Sequence, residues 1–176
     1  KEIGLSNTGP KRLNFLFQKL KKRGIKIKSI QMQLSLLTKP SLEDENIKII
    51  CDENEIEYLA YSPLGLGILT VPPNQSPKPT TFLRKSLYQR ILPKTIELRT
   101  LLTNIGKKYS ASQAQVALNW VRSHGAKPIV GIRNPNQAKD AISALNWSLT
   151  KSEKQKLDFC RNACLANMPL NPFTSP

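Results

Sequence analysis

The stretch Ile56-Glu57-Tyr58-Leu59-Ala60-Tyr61, closed by Ser62-Pro63-Leu64-Gly65-Leu66-Gly67, decides the fold. The first six residues, rich in aliphatic and aromatic side chains, read as a strand. Ser62-Pro63 ends it, because proline has no N–H with which to continue a ladder. The same unit, an apolar run that ends in polar residues and leads into a helix, recurs on both sides. Upstream, Ile3-Gly4-Leu5-Ser6-Asn7 is such a run. Thr8-Gly9-Pro10 then opens a helix with proline early, where its missing N–H costs nothing. Leu13, Leu16, Phe17 and Leu20 share one face of that helix, and Gly24 ends it. Residues 27–37 read as a second strand, in which Ile30, Met32 and Leu34 alternate with Ser29, Gln31 and Gln33. A helix opening at Ser41, with Ile47, Ile50 and Cys51 facing inward, leads back to the quoted strand.

Downstream, Pro72, Pro73, Pro77 and Pro79 break regular structure over residues 71–81. Leu92-Pro93 introduces a helix whose apolar set is Ile96, Leu98, Leu101, Leu102 and Ile105. Ser110-Ala111-Ser112-Gln113 has the spacing of a capping box ahead of Val116, Ala117, Leu118, Trp120 and Val121. Residues 127–132 read as a fourth strand. Asn134-Pro135 caps the helix after it, with Ala138, Ile142 and Leu145 inward. Thr150-Lys151-Ser152-Glu153 is a second capping box and starts a last helix. Residues 164–176, with Leu165, Met168, Leu170 and Phe173, form an irregular tail to a domain spanning 1–163. Strands alternating with helices imply four parallel strands joined by right-handed crossovers. The period leaves two architectures open, an open doubly wound sheet or half of an eightfold barrel. No GxGxxG follows the first strand, which weakens the dinucleotide-sheet option.

Composition narrows the function classes. The 176 residues suit one domain or part of a larger one, and no run of 18 apolar residues is present to span a membrane. The first residue is Lys1 rather than Met, which raises the expectation of a fragment. The first residues, Lys1-Glu2-Ile3-Gly4-Leu5, read as a strand and not as a signal peptide. Cys51, Cys160 and Cys164 make no CxxC pair and read as free thiols in a reducing compartment, the cytoplasm. A single histidine and scattered cysteines cannot build a zinc cage. The 27 basic against 12 acidic residues give a net charge of +15. Much of that excess lies on one helix and its exit, including Lys19, Lys21, Lys22 and Arg23, and a block of acids follows. Nucleic acid is not the expected partner, because no aromatics interleave with the basic residues as a stacking platform. A solvated helix face explains the charge.

Five motifs occur in one order with helical spacers. They are Gly4-Leu5-Ser6-Asn7, Gln31-Met32-Gln33, Ala60-Tyr61-Ser62-Pro63-Leu64-Gly65-Leu66-Gly67, Ser112-Gln113-Ala114-Gln115-Val116-Ala117-Leu118-Asn119-Trp120 and Pro128-Ile129-Val130-Gly131-Ile132-Arg133-Asn134. Together they resemble the second half of the aldo-keto reductases. The spacing is also similar to the branch in plants and cyanobacteria that includes pyridoxal-reductase-like members. The resemblance implies the C-terminal half of a (β/α)8 TIM barrel, four parallel strands with helices outside, and reduction of an aldehyde or ketone by hydride from NADPH. The site is then expected at the C-terminal mouth of the strands.

By that resemblance, Ser6, Asn7 and Gln31 would hydrogen-bond the nicotinamide carboxamide, and Tyr61 would stack on the nicotinamide ring. Ser62, Leu64 and Gly65 would face the pyrophosphate. Arg133 would pair with the 2′-phosphate, Asn134 would add polar contacts at a helix N-terminus, and Gln137 and Asp140 would face the adenine. Plainer readings exist for several of them: Asn7 and Asn134 as helix caps, Tyr61 as a rim aromatic, Ser62-Pro63 as a turn, Arg133 as a solvated charge. The chain departs from the family pattern at Ile30, Ala141 and Val71-Pro72.

The family's chemistry uses a tetrad of Asp, Tyr, Lys and His from the first four strands, so no catalytic residue is assigned here. His124 follows a helix and reads as a surface or cap residue. The resemblance therefore implies a missing N-terminal half of the barrel as partner, beside a small-molecule carbonyl substrate, with no nucleic acid and no membrane. For a plant or algal protein the compartment would be the plastid stroma. The alternative is a non-catalytic nicotinamide-binding or regulatory relative.

Overall fold

The computed structural model describes residues 1–38, 42–75 and 81–169. Ser41, Pro77, Pro79, Leu170 and Phe173, used above, lie outside the described residues. Strand β1 (Glu2–Ser6) leads to helix α1 (Pro10–Lys21), β2 (Lys26–Gln33), α2 (Leu42–Glu53) and β3 (Glu57–Tyr61). A 3-10 segment (Gly65–Thr70), α3 (Phe82–Ile91), a short 3-10 turn, α4 (Ile96–Lys108) and α5 (Gln113–Ser123) follow. Then come β4 (Lys127–Pro128), α6 (Pro135–Ser143) and α7 (Lys151–Ala163). The sheet order is β1-β2-β3-β4, and every neighbouring pair is parallel. This is the four-stranded half of a (β/α)8 barrel that the resemblance implied, one of the two architectures that the alternation left open.

Most of the expected apolar positions are buried, although Ile96 of the α4 set is 49% exposed. Leu13, Ile47 and Cys51 from α1 and α2 pack with Ile30, Met32, Tyr58 and Ala60 from the outward side of the sheet. Leu98, Leu102, Trp120, Val121 and Leu157 join α4, α5 and α7 into the same core. Burial of an aliphatic side chain of this size contributes about 1.5–3 kcal/mol. Polar devices seal the helix junctions. Glu153 is buried at 5% exposure and accepts from Lys108 Nζ (3.2 Å) and the Tyr109 hydroxyl (2.8 Å) while completing the Thr150 capping box. Burial alone would raise its carboxyl pKa, but the hydrogen bonds from Thr150, Tyr109 and Lys108 outweigh it and hold the group below its ordinary range.

Four expectations need correction. The second strand stops at Gln33, because residues 35–38 form a buried turn in which the Thr38 hydroxyl oxygen accepts the Ser35 N–H at 2.9 Å. The fourth strand shrinks to two residues. Pro128 has no N–H, the outer edge has no neighbouring strand, and one further bond, Ile129 N–H to the Ala60 carbonyl at 2.8 Å, continues the ladder. The helix after residue 110 is capped by Ser112, whose side chain accepts from Gln115 N–H, whereas Ser110 sits at φ 50. Gln113, the expected reciprocal partner, donates instead to the Arg99 carbonyl at 2.8 Å. Finally, Ile142 and Leu145 are 64% and 63% exposed rather than inward. With Val130, Ile132 and Leu118 they line an open groove of about 590 Å³ between β4 and α6. Their periodicity marks an apolar face, but no element among the described residues covers it.

Two further features had no counterpart in the sequence reading. Helix α3 follows directly on the proline-rich stretch. The chain beyond α7 is docked: Ala166 and Met168 are buried, and the Met168 N–H donates to the Leu37 carbonyl at 2.8 Å.

Candidate functional site

Parallel strands end together. Ser6 is paired with Gln31, and Gln33 with Tyr61, so the C-terminal ends of β1, β2 and β3 form one rim. Asn7 follows β1 at φ 51, a left-handed conformation that asparagine tolerates better than most residues. Its N–H donates to the Gln31 carbonyl at 2.9 Å, extending the ladder one rung. Its side chain turns back along the rim. Nδ2 donates to Ser6 Oγ at 2.9 Å, and Oδ1 accepts from the Tyr61 hydroxyl at 2.7 Å. The Ser6 hydroxyl also reaches the Gln31 carbonyl at 3.4 Å. Asn7 is thus no helix cap: the N-cap of α1 is Gly9, with no side-chain bond.

These bonds leave a row of polar groups beside a half-buried aromatic ring. The Gln31 side-chain amide and the Ser62 hydroxyl make no hydrogen bond among the described residues. At the opposite end of the strands, Lys127 Nζ lies 3.0 Å from Glu57. Its hydrogen bond and charge hold the Glu57 carboxyl below its ordinary range.

After β3 the backbone enters a sequence of left-handed residues: Ser62 (φ 53), Gly65 (φ 55), Leu66 (φ 54) and Gly67 (φ 94). Leu64, at φ −98 and ψ 11, followed by left-handed Gly65, has the alternation that gathers backbone N–H groups into an anion-binding concavity. Within it the Gly65 N–H closes on the Ser62 carbonyl at 2.9 Å, so its own contribution is shape. A Cβ at Gly65 would come within 2.8 Å of a Leu37 methyl. Leu66 bears the left-handed geometry without being glycine, at a cost on the order of 1 kcal/mol.

The fourth strand contributes more loosely. Asn134 caps α6 by accepting the Gln137 N–H at 3.0 Å, and Gln137 returns the contact by accepting the Arg133 N–H at 2.8 Å. Asn134 and Gln137 therefore shape the helix start, and the Arg133 side chain extends into solvent beside it. Asp140 is turned toward α5: its two oxygens accept from Ser112 Oγ and Gln115 Nε2, both at 2.7 Å. It is engaged by the fold and not aimed along the rim. His124 caps the C-terminal end of α5, just before β4 begins, and so lies at the far end of the barrel from this rim. Its Nε2 is 3.0 Å from Asp158, and burial, with Lys154 adding to it, lowers its pKa. Among the described residues no cluster of His, Cys, Asp and Glu could hold a metal, and no helix is long and apolar enough to cross a membrane.

Two residues that the sequence did not single out support the rim. The Tyr88 hydroxyl of α3 donates to the Leu66 carbonyl at 2.8 Å. Arg99 of α4, 2% exposed, donates to the carbonyls of Val71 (3.2 Å), Pro72 (2.8 Å) and Leu92 (3.1 Å) and to the Thr95 hydroxyl (3.1 Å). No local pattern announces either one, because their partners are main-chain carbonyls.

Half a parallel barrel with polar side chains gathered at its C-terminal rim defines a class, and comparison with known proteins supplies it. The chain belongs to the Aldo/keto reductase family, which matches residues 1–162. It is 39% identical over 171 residues to the chloroplastic pyridoxal reductase of Arabidopsis thaliana, covering 97% of this chain and 46% of that protein. It is 25% identical to aldo-keto reductase family 1 member D1 of Mus musculus, over 90% of this chain and 42% of that one. Among solved structures, the aldose reductase of Schistosoma japonicum superposes with a TM-score of 0.67 at 15% identity, covering 98% of this chain and 44% of the other. A Bombyx mori aldo-keto reductase in complex with NADP gives 0.62 at 20% identity, with 91% and 45% covered. The chain spans about half the length of the curated relatives it matches.

Proposed function

We propose that this chain is the cofactor-binding half of an NADPH-dependent aldo-keto reductase that reduces an aldehyde or ketone. The observation that carries the reading is the hydrogen-bonded row Ser6–Asn7–Tyr61, which joins the ends of β1 and β3, with the Gln31 amide on β2 between them. A nicotinamide carboxamide needs both a donor and an acceptor, and Ser6, Asn7 and Gln31 supply both types. Tyr61, held by Asn7, presents an aromatic face for ring stacking. The left-handed turn at residues 62–67 suits a pyrophosphate, and the Arg133 guanidinium suits a 2′-phosphate, which it can grip in a planar fork. When bound, NADPH supplies the hydride. The residues of this chain hold and orient it.

The proton donor and its Lys, Asp and His partners are expected on polypeptide outside this sequence. The apolar groove between β4 and α6 and the open edge of β1 are where that second half would pack. The NADP-bound insect structure supports the cofactor, and the chloroplastic plant relative supports a plastid over the cytoplasm as the compartment. Fluorescence titration of the purified chain with NADPH, paired with an aldehyde-reduction assay, tests the reading. Saturable binding without turnover is expected. Turnover by these 176 residues alone would overturn the assignment of the proton donor to other polypeptide, and a flat titration would overturn the cofactor site.

A further inference from the structure

We propose that Tyr88 is a positioning residue for the turn at residues 62–67, its hydroxyl holding Leu66 in the left-handed conformation. The proposal deepens the cofactor reading above and rests on it. Leu66 sits at φ 54 and ψ 24 with its side chain 41% exposed, so neither glycine chemistry nor burial explains why it stays there. Besides the bonds internal to the turn, a hydrogen bond from another element reaches it. The Tyr88 hydroxyl, 22 residues away on α3, donates to the Leu66 carbonyl at 2.8 Å. Tyr88 is 8% exposed and belongs to the core, so its hydroxyl is delivered from a fixed ring. The next residue repeats the message: a Cβ at Gly67, φ 94, would come within 3.0 Å of the same Tyr88 oxygen. The phenol therefore closes against two consecutive left-handed residues. Non-glycine residues in this conformation persist only where surrounding structure over-determines them, and they concentrate at ligand clamps.

The 3-10 segment is interrupted at Leu66 and Gly67, and the bonds that span the interruption, Gly67 N–H to the Leu64 carbonyl at 3.0 Å and Leu69 N–H to the same carbonyl at 3.3 Å, depend on the conformation at Leu66. Releasing Leu66 lets the peptide planes at 65–67 rotate. A dinucleotide phosphate would then meet a disordered set of N–H groups rather than a preformed one, and affinity would fall by the cost of reordering them.

The test uses the 176-residue chain in three forms: unsubstituted, Tyr88→Phe, and Tyr88→Phe with Leu66→Asn. Asparagine adopts the left-handed region more readily than leucine. Amide hydrogen exchange at Gly67 and Leu69, without ligand, reads the turn, and NADPH fluorescence titration reads the site. Tyr88→Phe is expected to speed exchange at both amides and to weaken NADPH by roughly tenfold. The unfolding midpoint should drop by no more than about 4 °C. The added Leu66→Asn should recover most of both losses. Unchanged exchange in Tyr88→Phe would overturn the proposal, as would a loss of affinity that Leu66→Asn does not rescue. Faster exchange together with no NADPH binding by the unsubstituted chain would leave the latch standing and overturn the cofactor reading instead.

Discussion

The Tyr61 hydroxyl donates to the Asn7 side-chain oxygen at 2.7 Å across 54 residues of sequence, bridging the ends of β1 and β3 over the intervening β2. Asn7 can accept only because its left-handed backbone turns the side chain inward along the rim. The bond fixes the plane of the Tyr61 ring, and the ring plane is what a stacked ligand would feel.

Separating ring from hydroxyl makes this measurable. Asn7→Ala removes the acceptor together with the proposed carboxamide contact, and should weaken NADPH by about ten- to a hundredfold. Tyr61→Phe keeps the ring and should cost only about fivefold. Equal losses in the two titrations would mean that Asn7 acts only through its bond to Tyr61 and makes no contact of its own with the nicotinamide.

Arg133 is the test of cofactor preference. Replacing it by alanine removes a charge-assisted contact that only the 2′-phosphate can make, so affinity for NADPH should fall by about ten- to a hundredfold. Affinity for NADH should hardly move. Parallel titrations with the two nucleotides check this, and an equal drop for both would remove Arg133 from the phosphate site.

Arg99 should matter for stability. Its guanidinium serves three main-chain carbonyls and the Thr95 hydroxyl while 2% exposed. Arg99→Met leaves those carbonyls buried without donors, and the expected destabilisation is about 3 kcal/mol or more. Urea denaturation gives the number. A change within about 0.5 kcal/mol, the range of surface substitutions, would show that water replaces the guanidinium without loss.

Glu153 predicts a pH dependence with a definite sign. Its folded pKa lies below its unfolded value, through the Thr150, Tyr109 and Lys108 hydrogen bonds that overcome its burial. The native state therefore prefers the carboxylate. The associated stability is fully present above the unfolded value of about 4.3 and is lost as pH falls through the lower folded value. Thermal unfolding followed from pH 7 down to pH 3 should show this loss in the unsubstituted chain and a shallower one in Glu153→Gln. Identical slopes would assign the acid sensitivity to other carboxylates.

Much of this architecture was legible in the order of residues. Alternation in residues 29–34 and the helical stripes at Leu13, Ile47, Leu102 and Leu157 are local patterns, and local patterns survive into the fold because burial rewards them wherever they end up. Ser6 and Tyr61 were likewise readable, since each closes an apolar run, whereas Gln31 lies within the alternation and stood out only through the family resemblance.

The order of residues therefore sets the elements other than α3, their parallel arrangement and the chemical types at the strand ends, all of them properties of neighbours along the chain. The tertiary structure alone decided that Asn7 serves Tyr61 rather than a helix, that Asp140 turns to α5, that Tyr88 holds Leu66 and Arg99 the Val71 and Pro72 carbonyls, and that Ile142 faces solvent. Each of these depends on which distant group fills a given volume, and hydrogen-bond partners 22 to 54 residues apart leave no period in the sequence to read.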